Sequence, residues 1–125
     1  MPDGTAPIQL MIAGNRSLAD SLADSFDAAE SIEVVGVAYD AGRAVDSAER
    51  LYPDAVVIEA DQLGAEGIEA VRRIRAIEPR PRLVLLAEPG SPSLRSVAAD
   101  GGADAYVSTH DAASVCQVVL GLLCG

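Results

Sequence analysis

The chain has 125 residues, half of them hydrophobic, enough for one domain with a single core and too few for two. Its net charge of −10 excludes the basic footprint of a domain that itself binds DNA or RNA. All nine basic residues are arginine, so no step here can use a lysine ammonium.

Residues 1–7 (MPDGTAP) carry two prolines and neither a basic start nor a long apolar core. They read as a flexible lead and not as a signal peptide. No apolar run approaches the ~20 residues of a membrane span, which makes the cytoplasm the expected compartment and a membrane partner unexpected. Residues 8–13 (IQLMIA) predict a first strand, after which Gly14, Asn15 and Arg16 turn the chain. Ser17 has the chemistry of a helix N-cap. Leu18, Leu22 and Phe26, with Ala19 and Ala29, then make one apolar stripe at helical spacing.

Residues 34–38 predict a second strand and 41–51 a second helix, with Ala44, Val45, Ala48 and Leu51 facing inward. The stretch 53–59 (PDAVVIE) follows. Its unbroken apolar middle, 55–58, suits a strand covered on both faces at the centre of a parallel sheet. Glu59 then stands at the carboxyl edge, where open α/β sheets place their ligands. Residues 60–66 read as a polar loop, and Gly67 opens a third helix with Ile68, Val71, Ile74 and Ile77 every three residues. Residues 83–87 predict the fourth strand. Ser91 and Pro92 start a fourth helix that stops at Gly101 and Gly102. Residues 105–108 predict a fifth strand, and Asp111 caps a last helix running to Leu123. Five strands alternating with five helices predict a single doubly wound α/β domain over residues 8–125.

Cys116 and Cys124 are eight residues apart, roughly 12 Å along one helix, too far for an internal bridge. They read as two buried thiols, with a bridge between two chains as the alternative. His110 stands alone and reads as a turn residue rather than a catalytic or metal-binding one.

Four segments carry a resemblance: 31–38 (SIEVVGVA), 52–58 (YPDAVVI), 67–74 (GIEAVRRI) and 101–107 (GGADAYV). In this order and spacing the chain resembles a receiver domain of two-component response regulators, of the type that precedes a LuxR-type helix-turn-helix output domain. The resemblance implies a flavodoxin-like (βα)5 receiver fold, a five-stranded parallel sheet in the order 2-1-3-4-5, and a site above strands 1, 3 and 5. It also implies magnesium-dependent phosphoryl transfer from a histidine kinase to an aspartate. That chemistry uses two acids after strand 1, the acceptor aspartate ending strand 3, a Ser or Thr ending strand 4, and a lysine after strand 5.

This chain departs from the pattern at all five places. Gly14 and Asn15 stand where the acid pair belongs, Glu59 replaces the acceptor, Ala87 replaces the hydroxyl, and Thr109 falls at or beside the lysine position. One carboxylate and a neutral amide make a poor magnesium site. Glutamate is one carbon–carbon bond, about 1.5 Å, longer than aspartate, enough to misplace an attacking oxygen. The expectation is an atypical, phosphorylation-independent receiver that is not an enzyme and takes no cofactor or metal.

Other readings stay open for single residues. Glu59 can stand where a phosphoryl group would, holding an active-like state, or be a tolerated polar residue at a strand end. The turn at Gly14, Asn15, Arg16 and Ser17 can cradle an anion at a helix start. The favoured reading is an ordinary strand-to-helix turn, with Arg16 solvated or paired to an acid such as Asp61 or Glu66. Tyr106 falls on the family's aromatic whose rotamer reports the switch state; without a hydroxyl at 87 it reads as a packed or contact residue.

Between Ala112 and Gly125 there is no charged residue. A helix so apolar on the outside of this fold implies a partner. A second copy of the chain is the favoured one, through Val115, Val118, Val119 and Leu122; further sequence after Gly125 is the alternative. The domain is thus expected to be the dimerising input module of a bacterial transcriptional regulator, reaching DNA only through an output domain. The rival reading is a small-molecule sensor that binds a metabolite in the emptied acidic pocket through Arg16. A flavodoxin-like enzyme is disfavoured, since no nucleophile–base pair, metal cluster or phosphate loop is visible.

Overall fold

The computed structural model describes residues 6–108 and 111–124. The strands are β1 (Ile8–Ala13), β2 (Ile32–Ala38), β3 (Ala55–Ile58), β4 (Arg82–Leu86) and β5 (Ala105–Val107). The helices are α1 (Arg16–Asp27), α2 (Ala41–Leu51), α3 (Gly67–Arg75), α4 (Pro92–Ala99) and α5 (Ala112–Cys124). All strand pairs are parallel and the order is β2-β1-β3-β4-β5, the doubly wound (βα)5 arrangement expected.

The period of two in a strand divides the interior into two cores. Val56 and Ile58 of β3 join Met11, Leu83 and Leu85 beneath α2, α3 and α4, through Ala44, Val45, Val71, Ile74 and Val97. Ala55 and Val57 turn the other way and meet Leu10, Ile12, Val84 and Leu86 beneath α1 and α5. Phe26, fully buried, is the largest side chain of that second core. Its replacement by alanine removes the order of 3–5 kcal/mol.

Strand entrances are tied at the opposite edge from Glu59. The Asp54 carboxylate accepts the Gln9 N–H at 2.9 Å, and that of Asp104 accepts the Leu83 N–H at 2.7 Å. Exposed ion pairs join Arg72 to Asp100 and Arg80 to Asp104, contacts worth roughly 0.2–1 kcal/mol each.

Several boundaries differ from the sequence reading. Asn15, not Ser17, is the N-cap of α1: its side-chain oxygen accepts the Leu18 N–H at 2.9 Å. Residues 60–66 form a 3-10 turn, Ala60–Glu66, instead of an open loop. β5 ends at Val107, one residue early, and β2 begins at Ile32, two residues early. Cys116 is buried but Cys124 is exposed, so the pair are not both core thiols. Thr109, His110, Gly125 and the first five residues of the N-terminal lead lie outside the described residues.

The 3-10 turn folds so tightly onto the start of α3 that a Cβ on Gly67 would lie 2.1 Å from the Ala60 carbonyl oxygen. That atom is backbone and cannot rotate away. Gly67→Ala is therefore expected to cost about 2–3 kcal/mol or more, read as a lower midpoint in urea unfolding with an unchanged slope.

Candidate functional site

β1 and β3 are neighbours in register, Ala13 beside Ile58, so the residues that follow them emerge together at the carboxyl edge. The Glu59 N–H donates to the Ala13 carbonyl at 2.8 Å, which carries the pairing one step past the strand ends. Gly14, Asn15 and Glu59 are thereby brought into contact. Ala87 follows β4 at the same edge, and its N–H donates to the Val107 carbonyl of β5 at 3.0 Å.

Glu59 is 6% exposed, and its side chain lies over the β1–α1 turn. One carboxylate oxygen, Oε1, accepts the Asn15 backbone N–H and the Asn15 side-chain amide, both at 3.2 Å. The amide orientation follows from the helix cap, since Oδ1 is engaged by the Leu18 N–H and leaves Nδ2 to face the carboxylate. The same Oε1 would lie 2.9 Å from a Cβ on Gly14. The volume a side chain at position 14 would fill holds the Glu59 carboxylate instead. At this turn the two Asn15 donors are taken up by a carboxylate of the chain itself.

Burial pushes the Glu59 carboxyl above its ordinary value; the Asn15 N–H opposes the shift, and the nearby charges of Asp61 and Glu88 reinforce it. This donor set does not fit magnesium. One Glu59 oxygen is covered by N–H donors, the Asn15 oxygen caps α1, and position 14 supplies no ligand. Among the described residues no group of three or more His, Cys, Asp or Glu side chains is placed to hold a metal ion.

Arg16 pairs with neither Asp61 nor Glu66. Its guanidinium lies 3.9 Å over the ring of Tyr39, whose hydroxyl donates to Asp20. Sequence reasoning missed Tyr39, although an aromatic one residue past β2 is a signal that something at the carboxyl edge stacks on it. Tyr106 is 43% exposed, with its hydroxyl accepting the Ala103 N–H at 2.9 Å, so it is not packed inward.

The last helix divides differently from the sequence reading. Val115 and Val119, at 1% and 0% exposure, point into the core under β5 and β4 and are not available to a partner. Val118 and Leu122, at 48% and 45%, are the large apolar side chains that α5 leaves outside. A groove of about 250 Å3 runs between β5 and α5, lined by Tyr106, Ser108, Ser114 and Val118. Two others, of about 390 and 290 Å3, lie along α2 and α3, the first lined by Glu49, Tyr52 and Arg73, the second by Asp46, Glu69 and Ala70. None of the three is lined by Glu59.

No family model matches the chain. It is 37% identical over 87 residues to protein-glutamate methylesterase/protein-glutamine glutaminase 2 of Anaeromyxobacter dehalogenans, covering 69% of this chain and 26% of that protein. The chain thus spans about a quarter of the length of the curated relatives it matches. The response regulator domain of Thermotoga maritima CheB superposes with a TM-score of 0.78 at 24% identity, over 94% of this chain and 93% of that one. A LuxR-family two-component response regulator from Aurantimonas sp. SI85-9A1 gives 0.75 at 25% identity, over 94% and 86%.

The Glu59 shift has a definite sign. A carboxyl held above its ordinary value of 4.5 in the folded state favours folding below that value and loses this contribution as pH rises through the folded value. Glu59→Gln keeps an acceptor for Asn15 without the buried charge. Its melting temperature is expected above wild type at pH 7.5, with the gap closing as pH approaches 4.5 in thermal scans.

Proposed function

We propose that this chain, which is a response-regulator receiver domain, acts as a regulatory module that takes no phosphoryl group. The observation that carries the reading is the engagement of Glu59. Its Oε1 is held by both Asn15 donors, in a buried position and across the space above Gly14. An attacking carboxylate must have a free oxygen aligned on phosphorus and a cation to neutralise the charge that develops. Glu59 has N–H groups on one oxygen, two acids near it and no second acid from the β1–α1 turn. The hydroxyl that would follow a phosphoryl group is absent, because position 87 is an alanine.

The module's signal is its own association. Val118 and Leu122 on α5, with Tyr106 across the groove from Val118, supply an apolar surface without a charged residue on the helix itself. A second copy of the chain is the proposed occupant, and the domain itself performs no catalysis. Its output is proposed to be DNA binding by a helix-turn-helix domain of the same protein, a reading supported by the LuxR-family neighbour. The methylesterase relative supports the other class of output, catalysis by an attached domain. The metabolite-sensing alternative finds less support, since the emptied acidic pocket is filled by Glu59.

Incubation with labelled acetyl phosphate and magnesium is expected to leave the protein unlabelled, with Glu59→Ala indistinguishable from wild type. Label lost on that substitution would overturn the reading. Sedimentation equilibrium is expected to give a dimer that Val118→Glu or Leu122→Glu dissociates with little change in melting temperature. Val119→Glu, by contrast, buries an unpaired charge and is expected to unfold the domain.

A further inference from the structure

We infer that Glu59 is the resident ligand of its own site and that Gly14 is the residue that admits it. The inference rests on the reading that Glu59 receives no phosphoryl group, and it assigns the side chain a positive role.

Three observations converge. The backbone at position 14 is not in the left-handed region, so glycine is not required there for its conformation. What requires it is space: a Cβ would stand 2.9 Å from Glu59 Oε1 and 3.0 Å from Glu59 Cβ. The donors at that point, the Asn15 N–H and Nδ2, both converge on the one oxygen that occupies this space. Asn15 in turn caps α1 through Oδ1, so a single residue ties the β3 carboxylate to the start of the first helix. A side chain at position 14 and the Glu59 carboxylate in its present place compete for the same space, so one must shift for the other. The volume holds one carboxylate, and in this chain the acid comes from β3.

Gly14 is therefore a specificity-determining residue. Its missing side chain lets Glu59 close the site from within, and no external carboxylate-sized anion reaches the Asn15 donors while Glu59 is there. Removing the Glu59 side chain should vacate a site for such an anion, and formate is the probe of that size.

The test is a set of thermal melts in sodium formate against sodium chloride at equal ionic strength. Glu59→Ala is expected to gain melting temperature with formate in a saturable way. Wild type should respond alike to the two salts, and so should Gly14→Ala/Glu59→Ala, in which the added methyl group fills the vacated space. In the wild-type background Gly14→Ala should lower the melting temperature by about 2 °C or more, since the Glu59 side chain must shift to admit the methyl group. Its cost should fall by more than half in the Glu59→Ala background, where only the Cβ contact remains.

Equal response of Glu59→Ala to formate and chloride would overturn the inference. So would a Gly14→Ala change that wild type tolerates within about 1 °C, a measurement that does not depend on Glu59→Ala folding. Failure of the phosphorylation reading would be seen separately, as label on Glu59.

Discussion

The four residues of β3 have no solvent-facing side. Ala55 and Val57 fill one core, Val56 and Ile58 the other, and neighbouring strands pair with both edges of β3. A strand enclosed in this way fixes where the next residue emerges. Glu59 comes out at the carboxyl edge between two strand ends, with its N–H still in the ladder to Ala13. Little freedom remains for its side chain. It can reach the β1–α1 turn, where N–H groups await an acceptor, and it does so. The carboxyl-edge site, the pKa shift and the closed volume over Gly14 all descend from that enclosure.

Electrostatics at this edge oppose the usual arrangement of a phosphoryl-accepting site. Such a site gathers acids around a cation, whose charge lowers the cost of holding them together. Here Asp61 and Glu88 stand near a buried Glu59 and raise its carboxyl. Arg16, next to Asn15 in the sequence, lies over the Tyr39 ring and leaves the two Asn15 donors to hold the carboxylate. The site keeps an anion in place by hydrogen bonding and enclosure, a static arrangement suited to tying two elements together.

Apolar surface is partitioned with similar economy. α5 carries no charge over its whole length, yet Val115, Cys116, Val119 and Leu123 are used by the core. The exposed large apolar side chains are Val118 and Leu122, and Val118 lines a groove whose other wall is β5. A single helix thus has two faces, one that completes the fold and one that leaves apolar side chains exposed.

The sequence by itself determined the architecture. Apolar runs of four to six residues alternating with amphipathic helical stretches admit few arrangements other than a doubly wound parallel sheet, and the five-strand order followed from the resemblance. It also placed Gly14, Asn15, Glu59 and Ala87 at strand ends, because element boundaries are readable wherever an apolar run stops. What tertiary structure alone decided was direction. Periodicity could not separate Val119 from Val118 on a helix apolar all round, since only packing against the sheet distinguishes its faces. The identity of the N-cap, Asn15 over Ser17, turned on which side chain the Leu18 N–H met. The partner of Arg16 lay on another strand. That Glu59 reaches back over a glycine 45 residues earlier is a fact of strand register, and no local pattern encodes it.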